Sequence, residues 1–114
     1  MNALQMTLLF DYYGDLLTER QRMCFDLRYN QDLSLAEIAE ELQVSRQGVY
    51  DNLSRAEALL RNMEEKTGCV SRDMMHRKNM DLIMQVAQTL LNHQDPQVAE
   101  TAKKIVSVSL ETEV

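Results

Sequence analysis

The sequence contains few glycines, prolines and cysteines and no long apolar run. Its 114 residues include three glycines, one proline and two cysteines. Two cysteines without a Cys-x-x-Cys pair cannot form a disulfide framework or a thiolate metal site. Disulfide-stabilised proteins and proteins with a cysteine-ligated metal are therefore excluded. No run approaches the roughly 20 apolar residues of a membrane-spanning helix, and the N-terminus lacks a signal-peptide pattern. We therefore expect a cytoplasmic protein without membrane insertion.

Motifs that carry catalysis or hold a cofactor are missing as well. The sequence has no glycine-rich phosphate loop, no nucleophile elbow and no recognisable pair of catalytic carboxylates. His76 and His93 have no ligand-spaced cysteine or carboxylate beside them, so we predict no metal site. Cys24 is expected to be an inert buried thiol, and Cys69 is expected in a loop. The sequence thus predicts a protein that is not an enzyme and that needs no cofactor.

The composition predicts an all-α fold. Leu, Met, Ala, Glu and Gln favour helices, and glycine and proline, which interrupt them, are scarce. The chain length suits a single domain with little room for a second core. We predict a helix-turn-helix domain over residues 1–68. Residues 69–114 would then form a C-terminal helical extension, packed on the first part or on a second subunit.

Apolar periodicity and capping signals predict four helices in the first part. The first is expected over about residues 2–16. Thr18 and Ser34 each begin a capping box, so they should open the second and third helices, and the second should end near Tyr29. Ser45 should cap a fourth helix that runs to Gly68, a residue type favoured just past a helix end.

Two further helices are predicted in the C-terminal part. Ser71 is expected to cap the fifth, which carries apolar residues through Leu91. Asp95 and Pro96 have the order of an N-cap followed by a first helical proline, so they should open the sixth. The strong periodicity is lost from about residue 107, and we expect residues 107–114 to be frayed.

The segment from Leu33 to Leu53 has the pattern of a helix-turn-helix. Ala39 is small enough to let two helices approach closely, and a turn of about three residues, 43–45, separates them. Gln43 stands where many such turns place glycine for a left-handed conformation, and we expect this to cost about 1 kcal/mol. Apolar contacts that would set the helix angle come from Ile38, Leu42, Val44, Val49 and Leu53.

The start of the fourth helix carries side chains that packing does not need and that could bind DNA. Arginine and glutamine read guanine and adenine edges in the major groove, and Ser, Tyr and Arg can reach phosphates. We predict that base edges are contacted by Arg46, Gln47 and Tyr50, and phosphates by Ser45, Ser54 and Arg55. The predicted nucleic-acid-binding residues are Ser45, Arg46, Gln47, Tyr50, Asp51, Ser54 and Arg55.

The charge of the chain opposes DNA binding. The formal net charge is −6, and residues 45–61 carry three arginines against two carboxylates. Affinity for DNA rises with the number of phosphates that are neutralised, so we expect weak, salt-sensitive binding unless a dimer doubles the contacts. A protein-interaction module or an RNA-binding accessory, without sequence-specific DNA binding, is the alternative.

Methionines are concentrated in the C-terminal half. Adaptable peptide-binding grooves are often rich in methionine, but core packing or a subunit interface explains such residues more simply. Because two helices are too thin to form a core alone, we expect them to pack against a second copy in a homodimer. The methionines in question are Met63, Met74, Met75, Met80 and Met84.

Three segments resemble region 4 of bacterial sigma factors, which contacts promoter DNA. They are residues 17–22 (LTERQR), 33–40 (LSLAEIAE) and 44–50 (VSRQGVY), within the first 60 residues or so. The resemblance implies a helix-turn-helix bundle. Since a sigma factor also needs a separate domain that melts the promoter, we do not expect a complete sigma factor.

A more extensive resemblance is to the YlxM family of small bacterial helix-turn-helix proteins. It is carried by residues 10–18 (FDYYGDLLT) and 50–57 (YDNLSRAE) and covers the first two thirds of the chain. What it implies is a regulatory protein linked to the signal recognition particle pathway, because genes of this family tend to lie beside that of the particle's GTPase. Components of the particle are therefore possible partners besides DNA.

Overall fold

The computed structural model describes residues 2–112, which form six α-helices and no strand. The predicted all-α fold is thus confirmed. A 3₁₀ turn at Gly14–Leu16 follows the first helix, and a π-helical turn at Asp26–Asn30 follows the second. The helices are α1 (Ala3–Tyr13), α2 (Glu19–Phe25), α3 (Leu35–Leu42), α4 (Arg46–Thr67), α5 (Cys69–Gln88) and α6 (Pro96–Thr112).

The chain divides into two compact units, and the division lies in the first turn of α5. The first unit ends at Val70 and the second begins at Ser71. In the first unit α4 is the central element, in contact with α1, α2 and α3. Within residues 2–112 no helix is both long enough and apolar enough to cross a membrane. The fully buried centre of the first unit comprises Cys24, Phe25, Ile38, Val49, Ala56 and Leu60.

Side-chain caps define the starts of the first three helices. The predicted capping boxes at Thr18 and Ser34 are both present, with reciprocal side-chain and backbone hydrogen bonds. A third box was not predicted: Asn2 Oδ1 accepts from Gln5 N over 2.8 Å, and Gln5 Oε1 accepts from Asn2 N. These caps satisfy N–H groups that have no partner within the helix, so each helix start is determined by local sequence.

An aromatic stack joins α1 to the end of α2. The ring of Phe25 lies 4.7 Å from that of Phe10 and 4.4 Å from that of Tyr29, measured between centroids. The Tyr29 hydroxyl donates to Glu57 on α4. Burial, together with this hydrogen bond, raises the pKa of Tyr29 to about 12. Tyr29 therefore connects the π-helical turn both to the aromatic stack and to α4. Its hydroxyl stays protonated at physiological pH and can donate.

The start of α5 differs from the prediction. Ser71 was expected to cap this helix, but α5 begins at Cys69 and Ser71 lies in its first turn. The backbone N–H of Val70 donates to Glu64 Oε1 over 3.0 Å, and that of Cys69 donates to Thr67 Oγ1 over 3.4 Å. Because acceptors on the end of α4 satisfy these first N–H groups, the helix can begin two residues before the serine.

The same end of α4 is bonded to α1 through a buried tyrosine. The Tyr13 hydroxyl donates to Glu64 Oε1 over 2.7 Å and lies 2.6 Å from Thr67 Oγ1. Burial raises the pKa of Tyr13. Gly68 ends α4, as the sequence predicted, and has a left-handed conformation with a φ of 65°. The first unit is thus closed by hydrogen bonds at the point where the chain turns into α5.

The two cysteines lie in different environments. Cys24 is fully buried, and burial raises the pKa of its thiol. The prediction of an unreactive buried thiol is therefore supported, since the thiolate is the nucleophilic form. Cys69 is the first residue of α5 and is half-buried, so the prediction that it lies in a loop is wrong.

The second unit comprises α6 and all but the first two residues of α5. Asp95 caps α6 by accepting from Gln97 N over 2.9 Å, which confirms the predicted start. The prediction that the chain frays from residue 107 is wrong up to Thr112, because α6 continues to that residue. Residues 113 and 114 lie outside the described residues. Ser109 is buried and donates to the carbonyl of Ile105, so a polar residue on the covered face masked the periodicity. The fifth helix ends at Gln88, three residues before the predicted limit.

The helix-turn-helix contains a strained residue whose replacement should stabilise the protein. Gln43 ends α3 with a φ of 56°, in the left-handed region. Since glycine adopts this conformation without the Cβ penalty, Gln43→Gly is expected to raise the free energy of unfolding by about 0.5–1 kcal/mol, measured by urea denaturation. Glu40→Gly, an exposed site inside α3, should instead lower it by about 1 kcal/mol. Equal effects of the two variants would contradict the assignment of strain to Gln43.

Candidate nucleic-acid interface

The helix-turn-helix consists of α3, a three-residue connection and α4. Ile38 and Ala39 on α3 are buried, as are Val49 and Leu53 on α4, and the two helices are in direct contact. In the connection, Val44 N donates to Ala39 O over 3.0 Å. These contacts fix the angle at which the second helix leaves the turn. The first residues of α4 are thereby held on a rigid support.

The first turn of α4 is capped and exposed. Ser45 has an extended backbone, and its Oγ accepts from Gly48 N over 2.9 Å. The N–H groups of Arg46 and Gln47 have no intrahelical acceptor by virtue of their position, and the positive end of the helix dipole lies there. The structure thus combines backbone donors and a partial positive charge with polar side chains at one place.

The predicted site residues lie on the surface at this end of α4. Tyr50 is notable because an aromatic side chain with 55 % of its surface exposed contributes little to the core. Ser54, in the third turn, is half-buried. The others are exposed: Ser45, Arg46, Gln47, Asp51 and Arg55.

One interaction within the site was not predicted. Gln47 Nε2 donates to Asp51 Oδ1 over 3.0 Å, so the two side chains form a hydrogen-bonded pair on one face of α4. The spacing of four residues could have indicated it, because such positions are neighbours on a helix surface. The next turn contains a structural contact, in which the half-buried Asn52 donates to the carbonyl of Gly48.

The electrostatic setting of the site is acidic. The first unit carries seven Lys and Arg residues against twelve Asp and Glu residues, a net charge of −5. Arg46 and Arg55 lie two to three turns apart on α4, with Asp51 between them. At about 3.6 residues per turn the two arginines lie roughly half a turn apart around the helix, so a polyanion would meet two separate positive side chains on a negative surface. Within residues 2–112 no three His, Cys, Asp or Glu residues are grouped so as to hold a metal ion.

Comparison with known proteins places the chain in a family. A family model described as "Putative helix-turn-helix protein, YlxM / p13 like" (UPF0122) matches residues 1–105. The chain belongs to the UPF0122 family. The match covers all of α1 to α5 and more than half of α6, so the similarity to YlxM proteins extends beyond the first two thirds of the chain.

Curated UPF0122 proteins are similar along most of their length. One from Desulforamulus reducens is 43 % identical over 107 residues, which cover 94 % of this chain and 92 % of the relative. One from a Thermoanaerobacter species is 44 % identical over 88 % of this chain and 86 % of the relative. One from Listeria innocua is 39 % identical over 91 % and 94 %. The family description supports the helix-turn-helix and names no catalytic activity.

Proposed function

We propose that this UPF0122 protein is a regulatory DNA-binding protein that acts by binding and not by catalysis, in the cytoplasm. The start of α4 would enter the major groove of a DNA duplex. The observation that carries the proposal is the capped, exposed first turn of α4, which buried contacts with α3 hold in place. Helices presented in this way read base edges with their N-terminal residues.

Some of the site residues would contact base edges and others would contact the phosphate backbone. Arg46, Gln47 and Tyr50 occupy the first two turns, where the helix would come closest to base edges. Ser45 and Arg55, with the half-buried Ser54, would contact phosphates, which set orientation and affinity but carry no sequence information.

Replacement of two arginines should separate these roles. Arg55→Ala is expected to weaken binding to all duplexes alike and to reduce the slope of log affinity against log salt concentration by about 1, because one phosphate contact is lost. Arg46→Ala should instead relax the preference for particular sequences. The measurement is fluorescence anisotropy of labelled duplexes over a salt series, with single-stranded RNA and duplex RNA as comparison ligands.

The matched control is Arg20→Ala, which removes the same charge from an exposed position on α2. It should leave the sequence preference intact. If wild-type protein retained no duplex at low salt, or if both α4 variants bound every duplex as the wild type does, the proposed function would be wrong.

We also propose that the protein is a homodimer formed through α5. The exposed face of this helix and the turn after it carry a row of residues that we call the α5 stripe, spaced by 4, 3, 1, 3 and 4 positions. Because that spacing reads the same in both directions, a second α5 packed antiparallel about a two-fold axis would place each position of the row opposite another position of the row. Leu82, at its centre, is 59 % exposed. The stripe comprises Met75, Asn79, Leu82, Ile83, Val86 and Leu90.

A charge at the centre of the α5 stripe should dissociate the dimer. Leu82→Lys places two like charges near the two-fold axis, so light scattering at micromolar concentration should give the monomer mass of 13.2 kDa, against about twice that mass for the wild type. Gln85→Lys introduces the same charge on α5 outside the stripe and should remain dimeric. A monomeric wild type would rule out this interface.

A second candidate function is binding to components of the signal recognition particle. The acidic first unit favours a protein partner over a polyanion. The test is titration with the purified particle GTPase and the particle RNA. Binding that survives Arg46→Ala would support this candidate, whereas binding lost with Arg46 would assign the interaction to the nucleic-acid interface.

A further inference from the structure

Packing does not explain the hydrogen-bonded pair of Gln47 and Asp51 on α4. Both side chains are exposed, and they are joined over 3.0 Å at positions 2 and 6 of the helix. Exposed polar pairs at this spacing add little to helix stability. A carboxylate on a face that would approach phosphates also weakens the attraction of the site for DNA. A functional role would explain why this pair is present although its carboxylate is unfavourable for DNA binding.

The carboxylate determines which way the glutamine amide points. An ionised carboxylate has acceptors and no donor, so it pairs with the amide nitrogen and not with the amide oxygen. Gln47 Oε1 is consequently turned away from Asp51. The amide nitrogen has two hydrogens, and when the one trans to Oε1 is donated to Asp51, the one beside Oε1 remains available for a base. The free edge of Gln47 thus offers an acceptor and a donor in a fixed order.

That order matches one base edge in the major groove. Adenine presents the N6 amino group as a donor and N7 as an acceptor, and a glutamine amide pairs with both at once. Guanine presents two acceptors at the same positions, so an amide held in this orientation would place its oxygen against O6. A glutamine free to turn its amide could instead donate from Nε2 to O6 or N7 of guanine, and would lose most of this discrimination.

We propose that Asp51 is a positioning residue that orients the Gln47 amide to read an adenine in the major groove. The inference rests on the proposed DNA-binding function and deepens it. Asp51 does not contact the base. Its negative charge lowers the affinity for all duplexes alike, while the fixed amide raises the preference for one of them.

The test is a selection from a library of random DNA duplexes, followed by sequencing, for the wild type and single variants. The wild type should select adenine at one position by about tenfold or more, the discrimination expected of one bidentate contact. Gln47→Ala and Asp51→Ala should both lose this preference, and at the same position. Asp51→Ala should bind random duplex about two- to tenfold more tightly, because a repulsive charge is removed.

Asp51→Asn separates orientation from charge. Its amide oxygen can accept from Gln47 Nε2 as the carboxylate does, so most of the adenine preference should return while the tighter binding to random duplex remains. The Gln47→Ala, Asp51→Ala double variant should lose no more of the preference than either single variant. These two results are not expected of an aspartate that only tunes charge.

The outcomes distinguish this inference from the function on which it rests. If the wild type selects sequences but Asp51→Ala keeps the preference at the Gln47 position, the positioning role is wrong and DNA binding stands. If Asp51→Ala loses a cytosine preference at another position, Asp51 reads a base directly and the inference is overturned. If the wild type binds no duplex, both fail.

Discussion

Phe25→Ala is expected to lower the free energy of unfolding of the first unit by about 3–5 kcal/mol. The ring is fully buried and stacks on Phe10 and Tyr29, so its removal leaves a cavity and breaks both aromatic contacts. Since small domains have a total stability of about 5–15 kcal/mol, this loss is a large fraction of it. Urea denaturation followed by far-UV circular dichroism measures the loss.

Tyr50→Ala is the matched control, because it also removes an aromatic ring but from the exposed start of α4. We expect it to change the free energy of unfolding by no more than about 0.5 kcal/mol. Comparable losses from the two variants would mean that the stack of Phe10, Phe25 and Tyr29 is not the centre of the folded unit.

Ser45→Asp is expected to abolish most DNA binding while the fold stays intact. Aspartate caps a helix as well as serine does, and its charge is favourable at the positive end of the helix dipole. In a complex, however, the carboxylate would face phosphates and could not donate to them. We expect affinity for random duplex to fall more than tenfold with the free energy of unfolding unchanged, measured by anisotropy and urea denaturation.

Two comparisons sharpen this result. Ser45→Ala should lower the free energy of unfolding by about 1 kcal/mol, because the acceptor for Gly48 N is lost. Asn2→Asp adds the same charge at another helix cap, on α1, and should weaken DNA binding far less than Ser45→Asp. Equal loss of binding in the two aspartate variants would show that net charge, and not the start of α4, governs binding.

Much of the first unit could be predicted because its signals are local. A capping box spans four residues, and its hydrogen bonds form whenever those residues adopt a helix, so Thr18 and Ser34 indicated where helices begin. The left-handed residue after a helix is favoured as glycine for a steric reason, which made Gly68 a reliable end. The exposed residues of α4 followed from the same periodicity that identified its buried ones.

Two of the errors have identifiable physical causes. Glu64 and Thr67, at the end of the preceding helix, satisfy the first N–H groups of α5, so the local cap at Ser71 was not used. In α6, Ser109 occupies the covered face, and a pattern read from apolar residues alone ended the helix too early. The 3₁₀ and π-helical turns after α1 and α2 likewise carry no distinct sequence pattern.

The amino-acid sequence by itself determined the helical class, the helix-turn-helix and the residues that start its second helix, because capping and apolar periodicity act within a few residues. Only the tertiary structure decided how α4 is supported and where α5 begins, since Glu64, which accepts from Val70 N, is itself held by Tyr13 on α1. Those features depend on distances between side chains. Such distances exist only once the buried contacts of α1, α2 and α3 with α4 have fixed the backbone.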